Sequence, residues 1–423
     1  MTIALLDIND SNLQLWHGGA HLQSPGYALL VDRQYRFGNP ARAAARLQPR
    51  DINTRYWWQL STEPLQPALG PARHSGDLVH AQLQELHREG GQPGEMLLAV
   101  SGSMQRDQLA LLLGIVQQCP FSAVGLVHRS VAVGSLYSGS GRLFHLEVQL
   151  HQAVITELVQ RDGQVELQRT LPLPGTGLLQ VQEKLVETIA TAFIRQTRFD
   201  PCRKAITEQQ LYDALPDALR ALGRDNETNI EVNGYRARIN RTELLGAGQR
   251  LLESARDAMG VAQPGDKVIA DPLAGLLPGL AERLPGLQLL AADSVRTALE
   301  HHIERLVERG QALSFVTALP VLAEAAAPVE PAPQPVARVP TPAGRPAATH
   351  LLQGHRALPL AAAGHSLGQG WSLHPTPAGW QLRGAGTGVQ VNGAASDPDP
   401  LLGGGDTLRI GDGPELLLIE VTP

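Results

Sequence analysis

The sequence predicts an α/β protein with partly antiparallel sheets in two lobes, followed by a small all-β sandwich. Three observations carry this. Strand-like apolar runs alternate with helical periodicity through residues 1–323, with a block of consecutive strands inside. Residues 324–348 hold seven Pro and eight Ala in twenty-five positions and match neither period, so they read as a semi-rigid linker reaching roughly 3.1 Å per residue. Residues 349–423 carry short apolar runs with turn signals about every 8–12 residues, the pattern of a sandwich.

The elements follow in order. Residues 3–7 form an apolar strand, residues 8–12 a polar turn, and residues 13–16 alternate, so the chain opens on a hairpin. Another strand is predicted over 27–31 and a short Ala/Arg-rich helix over 40–47. Leu78, Leu83 and Leu86 share one side of a helix over 74–89. A buried strand over 96–100 leads into Ser101-Gly102-Ser103, suited to cap a helix over 105–118. A strand over 124–127 and a helix around 131–137 precede three strands, 143–150, 153–160 and 165–171, and a long helix over 178–195. The second lobe continues with a helix over 208–222, a β section over 229–239 turning at Asn233-Gly234, and a helix over 242–259. A strand over 267–270, a Gly/Pro loop over 271–278 and helices over 279–284 and 294–309 complete it. In the C-terminal domain, strands are expected at 351–352, 358–360, 380–382, 389–391, 407–410 and 416–421, with Trp371 and Trp380 supplying much of the core.

Composition narrows the function. A formal charge of −6 argues against general nucleic-acid binding, which needs a basic face. The longest apolar helical candidate, 109–116, is about two turns, far short of a membrane span. No signal-peptide pattern opens the chain, and a cytoplasmic, bacterial protein is expected. Cys119 and Cys202 are read as two buried structural thiols rather than a disulfide or zinc site. The fourteen histidines show no metal spacing; His301 and His302 are adjacent and point to different sides of a helix. Ser101-Gly102-Ser103 lacks a nucleophile-elbow pattern.

IALLDINDSN, FGNPARAAARLQPRDINTRYWWQL, the stretch from LLAVSGSMQRDQ to VAVGSLY, RINRTELLGAGQRLL and KVIADPLAGLLPGLAERLPG occur in an order that resembles DnaK-type chaperone ATPase domains, of the actin-like fold with ribonuclease H-like lobes. The resemblance covers roughly residues 1–322. It implies a nucleotide site lined by Asp7, Asn9, Ser11, Asn12, Gly175, Gly177 and Glu208, with Mg-ATP as the cofactor to test. Such sites grip phosphates with backbone N–H groups of two glycine-rich hairpins, because only glycine lets the backbone come so close.

The chain departs from that pattern. Asn9 replaces the first-hairpin glycine, and Asp10 adds a negative charge facing the phosphate position. The second hairpin reads His145-Leu146-Glu147-Val148-Gln149-Leu150, with no glycine and with Val148 and Leu150 bringing side chains where backbone is needed. No lysine follows Asn53-Thr54, and of the adenosine clamp only Glu208 survives, beside Leu211, Tyr212 and Leu215. The last glycine pair is reduced to Asp271-Pro272 and Gly275. Each lost charge-assisted contact costs on the order of 1.5–3 kcal/mol, so several losses erase micromolar affinity, about 8 kcal/mol. Read from the residues alone, Asp7 caps a turn and Gly175 and Gly177 form the approach to a helix. No catalytic residue, no metal and no cofactor is expected.

The C-terminal segment resembles a forkhead-associated domain. Ser366-Leu367-Gly368-Gln369, Ser372-Leu373-His374, Gly388-Val389-Gln390-Val391-Asn392-Gly393 and Gly405-Asp406-Thr407-Leu408-Arg409-Ile410-Gly411 carry it. The resemblance implies a peptide site at Ser372, His374, Asn392 and Gly393. Gln369 and Leu373 stand where that family places phosphate-binding arginines, leaving Arg383 or Arg409 as substitutes. Residues alone read Ser372 and His374 as loop-shaping groups and Asn392-Gly393 as a hairpin turn. The expectation is a pseudo-ATPase scaffold that binds protein partners through its lobes and a tethered module, without nucleic acid or membrane. The alternatives are an ATP-binding chaperone with an unusual site and a phosphothreonine-reading adaptor.

Overall fold

Alternation along a few short strands decides how the first unit is layered. In the computed structural model, which describes residues 3–139, 141–284, 286–310, 312–322, 348–353, 356–360, 364–368, 371–376, 379–384, 389–395, 400–411 and 413–420, the chain divides into units Met1–Pro328 and Val329–Pro423. The linker assigned to 324–347 lies outside the described residues, as do Gln369 and Gly388. Ala348, assigned to the linker, is instead 5% exposed in the C-terminal core, and its carbonyl accepts from Trp380 Nε1 at 2.8 Å.

The first lobe is built on β1 (Ala4–Ile8), β2 (Leu13–His17), β3 (Ala20–Ser24), β4 (Glu95–Val100) and β5 (Ser122–His128). The second uses β6 (Leu143–Val148), β7 (Gln152–Arg161), β8 (Gln164–Pro174), β9 (Lys267–Ala270) and β10 (Leu287–Leu289). The spatial orders are β3-β2-β1-β4-β5 and β8-β7-β6-β9-β10. In both, the first three strands are antiparallel and the last two join in parallel. One ribonuclease H-like plan thus occurs twice, giving a two-lobed actin-like fold. Phe315–Val316 then adds to β5 and Ala318–Pro320 to β8, so two successive short strands tie the end of the unit to both lobes.

Side chains alternate between faces with period two. Ala4, Leu6 and Ile8 of β1 enter an outer core with α1 (Ser75–Glu89) and α2 (Arg106–Val116). Phe144, Leu146 and Val148 of β6 enter the outer core of the second lobe with α4 (Leu178–Thr197), α5 (Ala205–Arg224) and α6 (Gln249–Met259). The inner faces meet: Leu5, Leu97 and Ala99 pack with Leu143, Leu158 and Ile269 around α3 (Arg129–Gly134). Asp7, Glu147 and Asp271 are the next inner-facing positions after Leu5, His145 and Ile269. Val148 therefore points away from the hairpin interface, contrary to the sequence expectation.

Several elements depart from expectation for local reasons. Gln105, not the Ser101–Ser103 loop, caps α2, through a capping box with Gln108. The helix expected over 242–259 breaks between Arg241–Leu244 and Gln249–Met259, where Gly246 and Gly248 weaken it. That over 294–309 breaks at His302, which is buried and bonds Ser135 Oγ at 2.9 Å. Cys119 is half-buried, but Cys202 is exposed, so it is not a core thiol. No helix among the described residues is long and apolar enough to cross a membrane.

The second unit is antiparallel β. One sheet runs Arg356–Pro359, His350–Gln353, Leu416–Ile419, Thr407–Ile410, Val389–Val391, Ala394–Ala395; the other runs His365–Gly368, Trp371–Thr376, Gly379–Gly384, Leu401–Leu402. Leu373, Trp380 and Leu382 of one share a core with Leu351, Leu408 and Leu418 of the other, so the sheets form a sandwich. Trp371 and Trp380 are both buried in it.

Candidate functional site

The β1–β2 and β6–β7 turns and the loop after β9 converge between the lobes. Arg129 opens α3 directly after β5 and is 3% exposed. Its Nε donates to Asp7 Oδ1 at 2.7 Å and its Nη2 to Asp7 Oδ2 at 3.1 Å. Nη2 and Nη1 donate to Asp271 Oδ1 and Oδ2 at 2.8 and 3.0 Å, and Nη1 reaches Glu147 Oε2 at 3.5 Å. The planar fork of a guanidinium suits two bidentate carboxylates at once. Asp7 and Arg129 belong to the first lobe, Glu147 and Asp271 to the second, so the pairs with Glu147 and Asp271 cross the interface.

Three carboxylates face one guanidinium, and the strain of that excess is shared unevenly. Burial pushes the Asp7 carboxyl above its ordinary range despite Arg129, helped by Asp271 and Glu147. Burial acts the same way on Asp271, but Arg129 and His145 outweigh it and hold that carboxyl well below its ordinary range. His145 Nε2 stands 3.6 Å from Asp271 Oδ1, and its Nδ1 meets Ser130 Oγ at 2.8 Å. Burial works against the charge on Arg129 too, yet Asp271, Asp7 and Glu147 keep it protonated far above neutrality.

The turn amides of Ser11, Asn12, Gln149 and Leu150 are also consumed. Asn9 Oδ1 accepts from Ser11 N at 3.0 Å and Ser11 Oγ at 2.9 Å, and Asn9 O accepts from Asn12 N at 2.9 Å. Gln149 N donates to Gln152 O at 2.9 Å. Leu150 N donates to Asp10 Oδ1 at 2.8 Å. Asp10 is 6% exposed and bridges the two hairpins, so its charge does not face the cleft as the sequence suggested. Gln149 adds bonds from Nε2 to Ser101 Oγ, Ser103 Oγ and Glu147 Oε1 at 2.7, 2.9 and 2.7 Å.

An adjoining cleft of about 560 Å3 is lined by Asn9, Ser11 and Asn12 among the expected nucleotide residues, and by Asp271 and Arg129. Gly175, Gly177 and Glu208 are not in its lining. Glu208 pairs with Arg46 at 3.7 Å in the first turn of α5, with Arg46 stacked 3.9 Å over the Tyr212 ring. Gly175 has φ +70° and lies against the Arg250 guanidinium. Gly177 caps α4 with an ordinary φ of −71°. A Cβ there would meet Gln152 N at 2.4 Å, His151 C at 2.4 Å and Leu150 O at 2.5 Å, so this glycine lets the helix approach the second hairpin. Gly177→Ala is expected to cost about 3 kcal/mol in urea denaturation, because three backbone atoms must move.

The residues do not fit Mg-ATP. The carboxylates that would hold a hydrated cation are paired with Arg129, and the turn amides of Ser11, Asn12, Gln149 and Leu150 are bonded within the protein. Among the described residues no group of three or more His, Cys, Asp or Glu is arranged to hold a metal ion. Sequence reasoning missed Arg129. Its signal was a lone arginine between an apolar strand, Val-Gly-Leu-Val-His, and an apolar helix turn, Val-Ala-Val-Gly.

In the second unit, Ser372 and His374 lie on the strand Trp371–Thr376, not in a loop, and bond each other at 3.0 Å. Ser372 stands opposite Arg383, whose guanidinium donates to Gln381 Oε1 at 3.1 and 2.8 Å. Arg409 pairs with Glu415 at 3.2 Å. Asn392 and Gly393 form a hairpin turn on the other sheet, with φ +51° and +78°. Asn392 Nδ2 donates to Asp406 Oδ1 at 3.0 Å and its Oδ1 accepts from Thr407 N at 2.9 Å, so it ties two turns together. No hydrogen bond among the described residues joins these two pairs.

No protein-family model matches the chain. An 88-residue segment, 20% of the chain, is 36% identical to a tRNA N6-adenosine threonylcarbamoyltransferase of Paracidovorax citrulli (strain AAC00-1). The chain spans about a quarter of that protein's length, 24%. The likeness agrees with a distant relationship within the actin-like fold.

Proposed function

We propose that the protein is a non-catalytic, DnaK-like member of this fold: a pseudo-ATPase scaffold that binds protein partners through its lobes and a tethered, forkhead-associated-like module. The observation that carries this reading is Arg129. Where an ATPase of this fold needs a cation between its carboxylates, this chain supplies its own, covalently and without exchange. Ion pairs across the interface favour one fixed lobe arrangement, which suits a binding surface better than a nucleotide-driven hinge. Two weak contacts joined by a tether then act together through effective concentration. The transferase activity named for the matched relative is not carried over, because the matched segment covers only 24% of that protein.

The test is calorimetry of the full chain with Mg-ATP at about 1 mM, enough to reveal binding worth about 4 kcal/mol. No saturable heat and no phosphate release are expected. Saturable binding with turnover that Asp7→Ala abolishes would restore the ATPase reading.

A further inference from the structure

The geometry points to a binding site for a small amphipathic monoanion, an apolar chain or ring bearing one carboxylate, in the cleft between the lobes. The cleft holds about 560 Å3, within the roughly 300–1,000 Å3 of small-molecule sites. Its wall is aliphatic and comes mostly from the second lobe: Leu185 of α4, Leu215 and Leu219 of α5, Leu273 and Leu276 after β9, and Leu290.

Among the described lining residues, a charged side chain has no ion pair and a buried hydroxyl has no hydrogen bond. Tyr27 lines the cleft at 5% exposure, and its hydroxyl makes no hydrogen bond among the described residues. Arg42 ends the short helix Gly38–Arg42, is half-buried, lines the same cleft, and has no carboxylate within 4.0 Å among the described residues. The two are neighbours electrostatically: burial raises the Tyr27 phenol to about 12, with Arg42 the first charge opposing it. The other arginines nearby are engaged, Arg46 with Glu208 and Arg220 with Asp217 at 2.5 Å. A free guanidinium and a free phenol hydroxyl in an aliphatic cavity match one carboxylate with an apolar body. A polyphosphate does not match, since Arg129 in the lining is already paired with Asp271 and Arg220 with Asp217, which leaves Arg42 as the one unpaired charge among the described lining residues. The inference goes beyond the scaffold reading, because it gives the lobes a ligand of their own.

Titration of the full chain with decanoate, decanol, decylamine and Mg-ATP tests it, read by calorimetry and by displacement of anilinonaphthalene sulfonate. Decanoate is expected to bind saturably, about tenfold or more tighter than decanol, with decylamine weaker than both. Arg42→Gln, at a half-buried position, is expected to erase the preference for decanoate while leaving decanol unchanged. Leu276→Trp, which fills the cavity, is expected to weaken both, with the thermal midpoint of each variant confirming that it folds. Equal binding of the three ten-carbon ligands, a neutral Arg42→Gln, or no binding up to about 1 mM overturns the inference. Displacement of decanoate by Mg-ATP overturns the pseudo-ATPase reading as well, whereas silence toward all ligands overturns only this one.

Discussion

Arg129→Met is expected to destabilise the first unit by about 3–5 kcal/mol at pH 7.5, the cost of stripping a buried ion pair of one partner. The guanidinium and its three carboxylates are all buried, with Asp7 at 0%, Glu147 at 1% and Asp271 at 5% exposure. Methionine fills much of the space but leaves three acids facing one another. Their pKa values must then rise above those of the unfolded chain. A carboxyl raised in the folded state binds more protons folded than unfolded, so stability falls as pH rises through that window. The deficit is therefore largest near neutrality and shrinks toward pH 5. Arg129→Lys keeps the charge without the fork and is expected to fall between. Urea denaturation of the three proteins at pH 5 and 7.5 decides the matter. A loss below about 1 kcal/mol for Arg129→Met at pH 7.5 would show that the guanidinium does not hold the lobes.

Asp10→Asn is expected to act in the opposite direction. Burial raises the Asp10 carboxyl from 3.8 to about 7, against the hydrogen bond from Leu150, with Glu147 adding to the rise. The sign follows from the raised value. Below about pH 4 the acid is protonated folded and unfolded, and it costs nothing. Between pH 4 and 7 the unfolded chain ionises first, so the folded state loses stability as pH rises. Above pH 7 the whole difference is felt, at most about 4 kcal/mol for a carboxyl moved from 3.8 to about 7. Asparagine retains an oxygen to accept from Leu150 N and carries no charge. The variant should match the native protein near pH 4, exceed it at pH 8, and show a flatter thermal midpoint against pH. A midpoint at pH 8 equal to or below the native one would mean that the Asp10 charge is already compensated across the hairpins.

The order of strands and helices was legible because local periodicity reports local burial. Residues 4–8, 95–100 and 143–148 are short apolar runs buried on both faces, and each was readable as a strand. The losses at the two glycine-rich hairpins were equally plain, since a missing glycine is a local fact. Interruptions were harder. His302 ends a helix by turning inward to Ser135, a contact between residues far apart in sequence, and the strand over 371–376 looked like a loop because its partners on both sides were unknown.

Local chemistry by itself determined that this chain has two parts, that the larger follows a twofold lobed plan, and that its two hairpins lack the glycines of a phosphate cradle. What stands in place of the cradle was decided only by tertiary structure. Asp7, Arg129, Glu147 and Asp271 are separated by up to 264 positions, and no short window shows that they meet. They meet because two sheets with the same strand order turn their inner faces together, and period-two alternation places each acid one step past the apolar core. Periodicity says which face a side chain takes; only the packed fold says what waits on the other side of it.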